Sequence, residues 1–437
     1  MNRNLNLFIL SVLLFIVLLP QQLNADEADL QLLIDEASPG DTITYTGTYE
    51  GDVFIDKALT LDGEGTGIIQ GTYEGTALSI EADDVTIKNM SITGSTRSRS
   101  SEQEGACIRN RGDNNSFSNL SLSECFHGIY LNTGDNTRVE NNEIVGYGDG
   151  SRGDQGYGMY VKKAHSNVIT GNNVNTFRDG LYFEYSDHNL IEDNRVSNTR
   201  YGLHYMYSNF NEFHHNDFIS NVGGAAVMQS DHILLENNTF SYNQGTQAFG
   251  LIVQTSRNVE VKNNDFVLNQ RGLYIESSTQ TDISGNRFFN NEIGVELWSS
   301  STEQYFYDND FISNTVQAAM VGSVDQHFFS KNQVGNYWGQ PLIDLNQDGV
   351  ADDPFVYSSS VGNLIQHNEL SYLFIKSPAM LLQENASRLF GMFDNEITDE
   401  FPQSGERDFS VGWLIAIAAA VLAIIILLKV RKRSVIK

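Results

Sequence analysis

Met206, Met228 and His204 are the side chains of this sequence best suited to hold a soft cation. They fall in two neighbouring segments of one pattern, GLHYMYS from Gly202 and GAAVMQS from Gly224. In these G-b-c-d-e segments, positions b and d are apolar throughout: Leu181/Phe183, Leu203/Tyr205, Ala225/Val227, Leu251/Val253, Leu273/Ile275 and Val295/Leu297. Strand alternation then points b and d into a core and c and e outward. His204 takes an outward c position and Met206 and Met228 take outward e positions, with the small Ala226 beside them. Thioethers and an imidazole are the ligands that Cu(I) selects. Segments stacked at the ~4.8 Å strand spacing would bring both sulfurs to one ion. The same methionines also suit a partner-docking patch or a loop-covered surface, because Met adapts to irregular contacts. His214 and His215 read as exposed turn residues.

Other residues point to other chemistry. Glu276 and Glu296 sit on the outward face of neighbouring segments, and carboxylates ~5 Å apart resemble the pair of a retaining glycosidase. Tyr274 and Trp298 could form a sugar platform beside them, although no Asp pair, and no Arg or Lys positioned as a base, accompanies the glutamates on that face. This defines the alternative class, a polysaccharide-binding or polysaccharide-cleaving surface protein. Further on, DLNQDGVADD places Asp344, Asn346, Asp348 and Asp352 at positions 1, 3, 5 and 9 of a Ca²⁺ loop, with Gly349 at its turn. Position 12 is Phe355, so the bidentate Glu of an EF-hand is missing, and the site would be a weak structural one or simply a polar capping loop. Cys107 and Cys125 could pair in an oxidising compartment, but the repeat register does not bring them together and their pairing stays open.

The elements that position these residues are repeats. Segments begin at Gly180, Gly202, Gly224, Gly250, Gly272 and Gly294, with gaps of 22, 22, 26, 22 and 22. A second register runs through Asn172, Asn194, Asn216, Asn238, Asn264, Asn286 and Asn309, spaced 22, 22, 22, 26, 22 and 23. Each period holds two or three short alternating strands separated by Asn, Gly and Ser turns. That predicts an all-β fold, a right-handed parallel β-helix with one coil per ~22-residue repeat. Asn at the same turn of every coil can pass hydrogen bonds up the stack. DLQLLIDEA, from Asp29 to Ala37, is expected to be a short helix capping the open end. The β-helix is expected over 26–340, its last coils ending near Trp338. Residues 341–393 form a C-terminal cap with the possible Ca²⁺ loop and an amphipathic helix from Tyr372 to Phe393. That helix would lie near the membrane, docking on a partner there or capping the solenoid.

The chain of 437 residues carries 27 Lys+Arg against 55 Asp+Glu, a net charge of −28, which argues against nucleic acid as a partner. Two cysteines are too few for a disulfide framework. Arg3 followed by LFILSVLLFIVLL predicts a signal peptide over 1–25, cut after Ala25. Residues 394–410 read as an acidic linker. The run from Val411 to Leu428 is long and apolar enough to span a bilayer. Lys429, Arg431, Lys432 and Arg433 then hold the tail 429–437 in the cytoplasm and leave the body outside it.

RDGLYFEYSDHNLIEDN with RYGLHYMYS, then GNYWGQPLIDLNQDGVADDPF and KSPAMLL in that order, resembles NosD, the family of maturation proteins for nitrous oxide reductase. The resemblance runs from about Asp41 to Leu382. It implies an extracytoplasmic β-helix without a covalent reaction of its own. Such a protein would work with a membrane ATP-binding-cassette complex, receive copper from a small lipoprotein chaperone and support assembly of the copper centres of nitrous oxide reductase. No family motif assigns the ligands, so His204, Met206 and Met228 remain a reading of spacing. A C-terminal transmembrane helix departs from the family's usual pattern.

Overall fold

The structure is a computed structural model describing residues 22–25, 29–97, 105–148, 150–245, 247–323, 325–380, 382, 383, 386 and 396–405. Its body is the expected parallel β-helix. One wall is a twelve-stranded sheet, from Val53–Ile55 to Val316–Val321, with neighbouring strands paired in parallel. The other walls are built from shorter strands, also paired in parallel from coil to coil. Helix α1, Leu30–Glu36, closes the N-terminal end. Asp29 is its N-cap, accepting from Gln31 N and Leu32 N, and Leu30 and Ile34 face the core. Gln22–Ala25, the end of the expected leader, lies in parallel against Thr42–Tyr45. Residues 1–21 and the apolar run Val411–Leu428 are outside the described residues. Among the described residues, no helix is long and apolar enough to cross a membrane.

The two sequence registers have distinct physical causes. At each of Gly180, Gly202, Gly224, Gly250 and Gly272, a Cβ would lie 2.3–2.6 Å from the carbonyl oxygen of the next glycine in the series. A side chain there would push neighbouring coils apart, so only glycine keeps the stacking distance. The asparagines form a buried ladder. Asn142, Asn172, Asn194, Asn216, Asn238, Asn264, Asn286 and Asn309 each donate Nδ2 to the Oδ1 of the next, ending on Asn336, at 2.8–3.0 Å. The same Oδ1 atoms accept the backbone N–H of the preceding asparagine, as Asn238 Oδ1 does from Asn216 N. The turn's buried polar groups are thereby satisfied within the stack. Beside the ladder, Phe218, Phe240, Phe266, Phe288, Phe311 and Trp338 stack in the core with centroids 4.6–5.4 Å apart. Cys107 and Cys125 form a disulfide, settling the pairing that the register leaves open.

The C-terminal cap finishes the ladder. Glu396–Asp399 pairs antiparallel with Phe355–Ser358, and this brings Asp399 over Asn336. Asp399 Oδ2 accepts from Asn336 N at 2.7 Å, Asn336 Nδ2 at 3.2 Å and Trp338 Nε1 at 3.0 Å. Burial pushes its carboxyl above the usual carboxylate range, a cost these hydrogen bonds offset in part. Helix α2, Val361–His367, and the 3₁₀ turn Glu369–Phe374 lie over the outer side of the twelve-stranded sheet, contributing Val361, Ile365 and Tyr372 to a cluster with Ile293, Val316 and Val321. The amphipathic helix expected from Tyr372 to Phe393 thus starts as a 3₁₀ turn; residues 378–380, 382, 383 and 386 are helical, and 381, 384, 385 and 387–393 lie outside the described residues. Replacing Asp399 by Ala should cost about 1–3 kcal/mol, because two buried donors, Asn336 N and Trp338 Nε1, lose their acceptor. Urea unfolding would measure this. A loss no greater than that of Glu396→Ala, an exposed neighbour on the same strand, would show that the ladder needs no terminal acceptor.

Candidate functional site

The inward b and d positions are buried as the alternation requires, and the outward positions divide into open and covered ones. Tyr201–Met206 and Gly223–Met228 pair in parallel with His204 opposite Ala226 and Met206 opposite Met228. Both methionines and His204 are half-buried on the outer face. Met228 packs against an apolar cluster of Ala226, Phe249, Ile252 and Tyr274, and the Tyr182 hydroxyl lies 3.9 Å from Met206 Sδ. The ring of His204 ends a stack on this face: Tyr130, Tyr160, Tyr182 and His204 follow one another with centroids 4.7, 5.1 and 4.6 Å apart.

What orients His204 is a carboxylate from the preceding coil. Asp179 is fully buried, and its Oδ2 lies 3.1 Å from His204 Nδ1. Arg200 grips the same carboxylate with both ends of its guanidinium, Nε to Oδ1 at 2.8 Å and Nη2 to Oδ2 at 2.5 Å. Burial alone would raise the Asp179 carboxyl. The hydrogen bonds from His204 and Arg200, with their charges, outweigh it and hold the group below the usual carboxylate range. An ionised carboxylate only accepts, so Nδ1 carries a proton, and in the neutral form of the ring Nε2 then carries the lone pair. This is the arrangement in which histidines bind metals, one nitrogen tied to a carboxylate and the other left for the ion.

The other expected site residues fare differently. Glu296 is fully buried rather than open on the outer face. Its Oε1 accepts from Tyr372 Oη at 2.7 Å and Trp298 Nε1 at 2.9 Å, and Arg271 Nη1 lies 3.7 Å from Oε2. The expectation of an open outward carboxylate pair is corrected here: the cap covers this part of the face, and Arg271 stands there as a buried ionic partner of Glu296. Glu276 is engaged as well, accepting from Gln254 Nε2 at 2.7 Å and Tyr274 Oη at 2.9 Å. His214 is not an open turn residue: its Nε2 is 3.1 Å from Glu212 Oε2 and its Nδ1 3.6 Å from Glu236 Oε2, while His215 is exposed. In the loop at Asp344, the carboxylates bind their own backbone. Asp344 accepts from Gln347 N and Gly349 N, Asp348 from Val350 N and Asp352 from Leu345 N. Asn346 donates its side-chain amide to Asp348. Among the described residues, no three His, Cys, Asp or Glu side chains converge as metal ligands.

Asp179, Arg200, Arg271 and Tyr372 are the functional partners that sequence reasoning missed. Three of them had a signal, since Asp179 and Arg271 directly precede the glycine of their segment and Arg200 lies two residues before Gly202. The position before the glycine stacks from coil to coil in its own column, Asp179 against Tyr201 and Arg271 against Ile293, and borders the outward face.

Among solved structures, the catalytic domain of a GH87 α-1,3-glucanase is 12% identical, with a TM-score of 0.55 over 72% of this chain and 69% of its own. PfbA, a surface adhesin of Streptococcus pneumoniae, is 12% identical, with a TM-score of 0.55 over 68% of this chain and 93% of its own. The A-module of mannuronan C-5 epimerase AlgE4 from Azotobacter vinelandii is 13% identical, with a TM-score of 0.52 over 70% of this chain and 96% of its own. At such identities the likeness shows the fold alone. No curated protein matches the sequence. A family model described as periplasmic copper-binding protein (NosD) matches residues 147–342, the coils that carry Asp179, His204, Met206 and Met228. The resemblance read from the GLYFEYS and GLHYMYS segments is borne out: over residues 147–342 this chain matches the NosD family.

Proposed function

We propose that this protein carries Cu(I) outside the cytoplasm for the assembly of the copper centres of nitrous oxide reductase, with copper as its cargo. The observation that carries the reading is two thioethers in register on adjacent coils, beside an imidazole whose Nδ1 is tied to a buried carboxylate. Met206 and Met228 supply soft, neutral sulfur, and His204 supplies Nε2. Asp179, held by Arg200, fixes the tautomer and the ring. Neither thioether has to lose a proton to bind, unlike a thiolate, which suits an ion that is received and then passed on. The Cys107–Cys125 disulfide fits an oxidising compartment, as does the periplasmic family that the coils match.

In this reading the ion arrives from a lipoprotein chaperone and leaves for the reductase, with ATP hydrolysis by a partner ATP-binding-cassette complex driving the cycle. Val411–Leu428 anchors the chain in the cytoplasmic membrane and raises its local concentration near that complex. The protein moves an ion and catalyses no covalent step. The glutamates of the polysaccharide alternative offer less support, because Glu296 is buried beneath the cap.

Two measurements test this. Anaerobic Cu(I) titration against a competing chelator should show one equivalent bound, lost in Met206→Leu/Met228→Leu; equal binding by the variant would remove the thioethers from the site. Asp179→Asn should leave the sulfurs in place and weaken Cu(I) binding by about 10–100-fold. Long-range nitrogen NMR of the metal-free variant should show His204 losing its Nδ1–H tautomer, and unchanged affinity and tautomer would take Asp179 out of the site.

A further inference from the structure

The 3₁₀ turn Glu369–Phe374 is apolar on two opposite sides. Tyr372 and the following Ile375, 6% and 1% exposed, pack on the sheet, and Tyr372 is bonded to Glu296. Leu370, Leu373 and Phe374 are 61%, 59% and 57% exposed. Leu370 and Leu373, three apart, eclipse on one face of the 3₁₀ turn, and Phe374 lies a third of a turn round on the adjoining exposed face, away from Tyr372 and Ile375. A helical turn that is apolar all round is normally buried all round, and a contiguous exposed apolar face marks a contact. The sheet takes one side of this turn, and the other side is open.

The course of the chain indicates what covers it. Glu396–Asp399 is paired into the cap, Gln403 N bonds Asn336 O, and Ser404 N bonds Gly349 O. The backbone is therefore held at this end of the solenoid almost to Gly405, the last described residue before the apolar run. Only five residues lie between Gly405 and Val411, and the six steps fully extended reach about 21 Å. The cap thus cannot stand far from the membrane that Val411–Leu428 enters. Lys376 borders the apolar face, 62% exposed and 2.8 Å from Glu292 Oε1. Apolar residues flanked by a long cationic side chain are the composition of a segment lying at the headgroup boundary.

We propose that Leu370, Leu373 and Phe374 insert into the headgroup–acyl boundary of the bilayer, an inference that rests on the membrane anchor proposed above. The turn then works as a two-sided latch, with Tyr372 and Ile375 on the solenoid and Leu370, Leu373 and Phe374 in lipid. The latch fixes the pose of the body where a linker alone would leave it swinging. It bonds to the coil of Gly294, three strand steps from that of Met228, or roughly 14 Å along the solenoid axis.

The full chain in lipid nanodiscs tests this. Leu373→Cys would be labelled with an environment-sensitive nitrobenzoxadiazole dye, the native cysteines being paired. Tyr242→Cys, at an exposed position in the coil of Gly224, serves as the control. The label at 373 should show blue-shifted emission and lose most of it when the lipids carry a shallow nitroxide quencher, while the control stays solvent-like and unquenched. A chain that does not remain with the nanodiscs would overturn the anchor and the latch together. A chain that remains, with the 373 label solvent-like, would overturn the latch alone. Blue-shifted emission that lipid nitroxides leave unquenched would mean cover by protein and would also overturn it.

Discussion

The asparagine ladder is the interaction on which the rest of this structure depends. Each buried amide donates Nδ2 to the next asparagine and offers its oxygen to the preceding one, so coils are held in register by a continuous polar column as well as by sheet pairing. At the end of the column Asn336 N has no further asparagine to accept it. Asp399 accepts it instead, from a strand 63 residues farther along the chain. The cap is therefore bound to the solenoid through its polar interior as well as its apolar edge, and the position of α2 and the turn after it follows from that join.

The register that holds the coils together also builds the site. Asp179, His204 with Met206, and Met228 come from three successive coils, and none of those coils holds a site by itself. Arg200 crosses back to the coil below to grip Asp179, which ties the imidazole to the least exposed part of the face. Farther along the same face the cap replaces solvent, and Arg271, Glu296 and Tyr372 form a buried ionic contact in place of an open carboxylate pair. The outer wall is thus divided into an open stretch and a covered one.

Much of this was legible in the sequence because a solenoid writes its geometry periodically. Gly180 to Gly294 recur because a Cβ would strike the next coil, and the asparagines recur because their amides pair only at equal heights. Period 2 within each segment separated core from surface correctly for Leu203, Tyr205, Met206 and Met228. What escaped is what periodicity does not encode. Asp179 stands in a column outside the segment pattern, and its bond to His204 crosses from one coil to the next. Glu296 is covered by Tyr372, 76 residues away in a segment that does not repeat. The disulfide closes a single coil that precedes the regular register.

The glycine column carries a consequence for how such a protein can change. Because every period meets its neighbours through the same contacts, a whole period of 22 residues could be gained or lost while the ladders rejoin. The fold is indifferent to the copy number of coils. The proposed cation site is not: one extra period between Gly202 and Gly224 would move the two sulfurs from one strand step apart to two, roughly 10 Å. Selection for stability therefore acts on the composition of a period, and selection for cargo acts on the order in which periods are placed.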